Sequence, residues 1–241
     1  PDWRGFGGSG QCAIPAIDAI SSHWQDIECL IKQLDLNHFI LMGYSMGATT
    51  AMHGMQYGNL GSKLKAYLHI DQTPKISTDN TWAHGLLGAK HPEFKVQMQQ
   101  LAKFLHDHPN HTQLGDLSKA QTDQLVELWL AFLALQSDRP LTTTVLKFAL
   151  SQPRLQKRLL PIQRLDYMRW YIDNYLHHDE DYREALSKLD CPATFFIGSQ
   201  STLYPAGKSW GNRRTSSSAS GPRRIQKAGS SPTVVGMTSG Y

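Results

Sequence analysis

From Cys191 to Tyr241 the chain contains no aspartate, no glutamate and no histidine. No carboxylate or imidazole of an active site can come from that stretch. Cysteine is scarce as well: Cys12, Cys29 and Cys191 are the only three in 241 residues. The set is odd in number and widely spaced, which excludes a disulfide framework and points to a reducing, cytoplasmic compartment. Cys29 falls within an apolar helical stripe, which predicts a buried, inert thiol. No apolar run approaches the roughly 20 residues that cross a bilayer, which excludes a membrane span. Charge is low, with 18% Asp, Glu, Lys and Arg and a net charge of +4. The excess is local. Residues 206–241 carry six cations (Lys208, Arg213, Arg214, Arg223, Arg224 and Lys227) and no acid, so the remainder nets −2. A basic face for nucleic acid is therefore not expected on the folded part. The first residue is Pro1, inside a Gly-rich turn, and the expectation is a chain that lacks its original N-terminus.

What the sequence does hold is enough apolar residues, 40% of the total, for one sizeable core. Ile17, Ile20, Trp24, Ile27, Leu30, Ile31 and Leu34 recur three or four apart and predict an amphipathic helix over 14–35. A short apolar run at 38–42 ends at Gly43, and residues 48–55 after it read as helix. Two further runs, Ala66 to Ile70 and Thr194 to Ile197, read as strands. Short strands separated by helices predict a parallel sheet covered by helices, an α/β fold. Between the second and third strands lie three helical stripes: Phe94, Met98, Leu101 and Leu105; Leu125, Leu128, Trp129 and Phe132; Leu165, Met168, Ile172 and Tyr175. Pro92, Pro140 and Pro161 fall where such helices would begin. From Ala206 onward Gly, Ser, Thr and Arg dominate and the only apolar pair is Val234-Val235, a composition that predicts disorder.

Gly43-Tyr44-Ser45-Met46-Gly47 is a G-x-S-x-G pentapeptide between a predicted strand and a predicted helix. A serine nucleophile needs a tight, strained turn that lifts its hydroxyl clear of the sheet, and the flanking glycines avoid collisions with neighbouring backbone. A helix that starts at Met46 aims free amides at the same place, so the Met46 N–H is a candidate donor to an oxyanion. The alternative is a Gly-bracketed serine that only caps the helix.

In this context the sequence resembles the α/β-hydrolase superfamily. Asp2-Trp3-Arg4-Gly5-Phe6-Gly7-Gly8-Ser9 is similar to the D-x-R-G-x-G-x-S turn after that family's fourth strand, where the aspartate and arginine more often brace the turn than touch substrate. Leu189-Asp190-Cys191-Pro192, followed by Phe195-Phe196-Ile197-Gly198, resembles the entry to its seventh strand. The likeness covers residues 1 to about 205. It implies a partial hydrolase core at 1–73, a helical cap at 74–188, a core strand at 189–205 and an atypical tail at 206–241. Serine at position 45 sets the chain apart from the dehalogenases and epoxide hydrolases of the superfamily, which attack with aspartate. The resemblance implies attack by Ser45 on a carboxylic ester or related acyl group through an acyl-enzyme, with no cofactor and no metal. Thioesters, activated amides and carbon–carbon bonds of diketones stay open. Tyr44, Trp82, Trp129, Trp170 and Tyr171 are candidate contacts for a small, partly apolar substrate, although aromatics at helical spacing are core more often than ligand contacts.

The family's acid usually follows the seventh strand and its histidine the eighth, and neither is here. Ser199 to Pro205 occupies the place of the acid. Asp71, just past the second predicted strand, is the candidate replacement; the competing reading is an aspartate that caps the following turn. Eleven histidines occur, yet each has a structural explanation and none is singled out as base. His177-His178 with Asp179 and Glu180 lacks the convergent spacing of a metal site, since neighbours on a helix point about 100° apart. Two functions remain: a serine hydrolase, inactive in this form if no base is recruited, and a non-catalytic α/β-hydrolase-like protein that binds a ligand or partner. The tail suggests a reading-frame change or artificial junction near Ala206 to Lys208. A native basic tail that attracts RNA or anionic membrane is the rival, disfavoured by its few aromatics.

Overall fold

The computed structural model describes residues 1–136, 149, 164–198, 224–227 and 234–238. Pro140, Pro161, the Ser199–Pro205 stretch and most of the expected tail lie outside them. The fold is α/β. Two compact units are present, Pro1–Ala19 with Lys90–His178, and Ile20–Ala89 with Asp179–Tyr241.

The second unit carries the sheet. Its strands are β1 (Phe39–Tyr44), β2 (Leu64–Ile70), β3 (Ala193–Gly198), β4 (Arg224–Lys227) and β5 (Val234–Thr238), in the order β1-β2-β3-β5-β4. The first three are parallel, with Tyr44 opposite Ile70 and Ile70 opposite Phe196. Helices α1 (Ala19–Gln33) and α2 (Met46–Tyr57) flank them. Alternation along the strands sends Leu41, Tyr67 and Ala193 to one face, where they meet Trp24, Ile31 and Ala51. The two helices pack closely because Gly54 faces Trp24: a Cβ there would stand 2.4 Å from the indole ring.

Two details depart from the sequence reading. Helix α1 begins at Ala19 rather than 14, beyond Pro15, and Cys29 is exposed, not buried. The reason is angular: nine residues at 100° each put Cys29 diametrically opposite the buried Ile20. Within the stretch expected to be disordered, β5 pairs antiparallel with β3 and β4 with β5. Backbone hydrogen bonding across a sheet edge, which hydropathy does not register, accounts for those strands.

The opposite face of β1 presents Ile40, Met42 and Tyr44 at 61, 65 and 64% exposure on the edge strand of the described sheet. Edges of this kind, apolar and free of charge or proline, promote association. Met42→Lys is expected to leave stability within about 0.5 kcal/mol of the parent and to lower aggregation on heating, measured by light scattering.

In the first unit α3 (His91–Asp107) packs against both α4 (Lys119–Gln136) and α5 (Leu165–His177). Pro92 lies in the first turn of α3, where its missing N–H costs nothing. Phe94, Met98, Leu101 and Leu105 are buried on α3, as are Leu125 on α4 and Leu165, Met168 and Ile172 on α5. The N-terminal turn belongs to this unit. Asp2 Oδ2 accepts the Gly8 amide at 2.8 Å, and Arg4 donates to the Ala13 carbonyl at 3.3 Å. Helix α5 fastens the same segment through Tyr167 Oη to Cys12 (2.6 Å), Trp170 Nε1 to Ile17 (2.9 Å) and Tyr171 Oη to Arg4 (2.8 Å), each onto a carbonyl. These bonds explain why residues 1–19 cluster with 90–178, and not with the 20–73 segment next to them in sequence.

Candidate active site

The pentapeptide spans the exit of β1 and the entry of α2. Ser45 sits between them with φ 49° and ψ −120°, a left-handed conformation that costs a non-glycine residue about 1–3 kcal/mol. Its backbone is tied on both sides. The amide donates to the Ile70 carbonyl of β2 at 3.1 Å, and the carbonyl accepts the amides of Ala48 (2.9 Å) and Thr49 (3.1 Å). The hydroxyl makes no capping hydrogen bond. A serine whose value was capping would spend its oxygen on a first-turn amide, so the cap reading does not describe this residue. Gly43 is required by contact: a Cβ there would lie 2.8 Å from Ala48 Cα and 3.1 Å from Ala48 N. The approach of α2 to β1 that makes the turn sharp leaves no room for one. The amides of Met46 and Gly47 fall in the first helical turn, where a helix has no internal acceptor for them, and the helix N-terminus favours negative charge.

Asp71 continues β2 one residue beyond Ile70 and so stands next to Ser45 in the parallel register. It too is left-handed, with φ 48°, and its amide donates to the Phe196 carbonyl at 2.9 Å. Carboxylate oxygen Oδ1 is buried with no hydrogen-bond partner. Burial raises the Asp71 pKa above the ordinary carboxylate value. The turn-capping alternative would have used this oxygen, and it does not.

That shift predicts a stability change. A carboxyl whose folded pKa lies above its unfolded value binds more protons when folded, so stability falls as pH rises between the two values and stays lowered above them. Asp71→Asn is therefore expected to raise Tm at pH 7, and the gain should shrink as pH falls through the raised pKa toward 3.8. Thermal unfolding of both proteins from pH 4 to 8 checks it.

Four buried polar residues beneath the turn were not singled out by sequence. Tyr67 Oη lies 3.0 Å from His69 Nδ1, His69 Nε2 lies 2.9 Å from the Gln72 carbonyl, and Gln72 Nε2 donates to Thr49 Oγ1 at 2.9 Å. Desolvation lowers the His69 pKa, with the Gln72 carbonyl acting in the opposite sense, and keeps the ring neutral. Only Gln72 carried a signal, as part of the polar run directly after β2; Tyr67 and His69 lie within the strand and Thr49 on α2.

Among the described residues no histidine is hydrogen-bonded to Ser45. His53 contacts Tyr182 Oη at 3.1 Å, His106 pairs with Asp173 at 3.1 Å, and His108 and His177 turn back onto helix carbonyls. Of the expected substrate contacts, Tyr44 is exposed next to Ser45. Trp82 donates to Thr73 Oγ1 at 3.0 Å under the Arg183 guanidinium, 5.2 Å from the ring centroid. Trp129 belongs to the helical unit and packs on Phe132 at 5.4 Å. Trp170 and Tyr171 hold the N-terminal turn. The Asp179 carboxylate accepts the Ser77 hydroxyl at 2.6 Å, and Glu180 accepts both Tyr57 Oη and Gln56. Among the described residues no group of three or more His, Cys, Asp or Glu is placed to hold a metal ion, and no helix is long and apolar enough to cross a membrane.

No protein-family model matches the sequence, and no curated protein does. Among solved structures the chain is similar to an esterase, EaEST, from Exiguobacterium antarcticum, at 17% identity and a TM-score of 0.46. The match covers 79% of this chain and 58% of the esterase, so the chain spans little more than half the length of that enzyme.

Proposed function

We propose that this chain is a serine hydrolase of carboxylic esters or related acyl compounds that works through an acyl-enzyme on Ser45. The observation that carries the reading is the conformation of that residue: strained, tied by backbone on both sides, and with its hydroxyl left out of helix capping. Structures keep such strain where the surroundings over-determine it, and it clusters at sites of chemistry. In the reaction Ser45 Oγ bonds to the substrate carbonyl carbon and its proton passes to a base. The Met46 amide donates to the oxygen that gains charge, the alcohol leaves, and water then frees the acid. Asp71 supplies the acidic member of the site, and the exposed Tyr44 ring contacts the substrate. All eleven histidines lie among the described residues and none is hydrogen-bonded to Ser45, so turnover requires a base recruited from elsewhere, without which the chain is inactive in this form.

The second reading, a non-catalytic binder on the same scaffold, is favoured by one observation: among the described residues no histidine reaches Ser45. A fluorophosphonate probe separates the two, because an activated serine displaces its fluoride and forms a stable bond to phosphorus. Saturable labelling lost in Ser45→Ala supports the hydrolase. A folded chain that takes up no label supports the binder.

A further inference from the structure

The turn at Ser45 and the turn at Asp71 are the two left-handed residues that face each other across the ends of β1 and β2. We infer that the buried chain Tyr67–His69–Gln72–Thr49 is a positioning device that locks these two turns together. This assignment rests on the hydrolase reading for its catalytic consequence but not for its geometry.

The direction of each bond follows from its partners. A carbonyl only accepts, so His69 Nε2 carries the proton toward Gln72. In the neutral ring Nδ1 is then an acceptor and takes the hydroxyl proton of Tyr67. The Thr73 amide, 2.9 Å from Gln72 Oε1, can only donate, which orients the Gln72 side chain with its NH2 toward Thr49. Thr49 in turn gives its amide to the Ser45 carbonyl. The result is one continuous run of donors from the middle of β2 to the backbone of the candidate nucleophile.

Every member is buried: Tyr67 and His69 at 1% exposure, Thr49 at 3% and Gln72 at 4%. Apolar side chains of similar size would fill this space as well, so the polar set contributes direction rather than packing. The bond from His69 to the Gln72 carbonyl spans Asp71 and closes the turn in which that residue holds φ 48°. The bond from Gln72 to Thr49 then joins that turn to the first turn of α2. Without it the only hydrogen bond between the two turns, among the described residues, would be that of the Ser45 amide to the Ile70 carbonyl, with Asp71 held separately by Phe196 and the Ser45 carbonyl by the amides of Ala48 and Thr49.

Thr49→Val removes the acceptor and keeps the shape. The expected result is a fluorophosphonate labelling rate lower by about 10²-fold, the scale of loss from a small misplacement at a reacting centre. Amide exchange at Ser45 and Asp71 should quicken about tenfold, on the scale of one lost hydrogen bond. Thr49→Ser keeps the hydroxyl and is expected to restore both within about twofold. Amide exchange needs no catalysis, so it judges the lock even in a chain that takes up no label; absence of label in the parent overturns the hydrolase reading alone. If Thr49→Val does not fold, Tyr67→Phe makes the same test from the other end of the chain, with faster exchange at Asp71 expected. Parent-like labelling together with parent-like exchange in these variants overturns the lock, as does a loss that Thr49→Ser fails to rescue.

Discussion

Ser45→Ala is expected to reduce fluorophosphonate labelling at least about 10³-fold, to the background of other hydroxyls on the surface. The fold should survive. The Ser45 side chain makes no capping bond, its backbone bonds do not depend on the side chain, and alanine meets the same left-handed strain as serine. A drop in label with Tm unchanged to within a few degrees therefore reports chemistry and not unfolding. Ser45→Gly adds a sharper test. Glycine adopts a positive φ without penalty, so this variant is expected to gain about 1 kcal/mol over Ser45→Ala, or about 2–4 °C in Tm at this chain length. A residue that is more stable as glycine and labelled only as serine is one whose strain serves the site. Equal labelling of Ser45→Ala and the parent, by mass spectrometry of the intact chain, would place the reactive group elsewhere.

Gly43→Ala is expected to disrupt the turn between β1 and α2 and to destabilise the sheet unit. The new methyl would stand 2.8 Å from Ala48 Cα, a backbone atom in the first turn of α2 that cannot rotate away. Either β1 or α2 must shift, and overpacking of this kind costs about 1–3 kcal/mol. Melting should fall by roughly 2–12 °C on the same scale, measured by circular dichroism. Labelling should fall with it by about 10²-fold, since the shift changes the angle between the Ser45 hydroxyl and the first-turn amides of α2. Gly115 is the control. An added Cβ there meets nothing within 4 Å, so Gly115→Ala is expected to change stability by no more than about 0.5 kcal/mol. If the two alanines behave alike, the close approach of α2 to β1 is not what makes Gly43 necessary.

The turn at Ser45 was legible because everything it needs lies within a few residues: an apolar run to make β1, a glycine where the helix closes in, a serine, and good helix formers after it. The position of Asp71 was legible by the same logic, as the first polar residue beyond β2, whereas its role as the acid is a proposal. Cys29 was misread because a stripe drawn over seven apolar residues is wide enough to absorb a residue on its far side, and only the wheel angle from Ile20 shows that position 29 faces away from the core. The strands at 224–227 and 234–238 were invisible to composition, since antiparallel pairing along a sheet edge draws on backbone groups that every residue has.

Residue order alone determined the local elements: strand, turn and helix around position 45, the three helical stripes, and the lack of acid and imidazole after Cys191. Their physical basis is short-ranged, in side-chain periodicity and in steric exclusion between neighbours. Only the tertiary structure decided which partner each element meets. It brought the Ile70 carbonyl to the Ser45 amide, set Gln72 against Thr49, and bound the N-terminal turn to α5. Each of these contacts joins residues too far apart in sequence for periodicity or steric exclusion between neighbours to specify the partner.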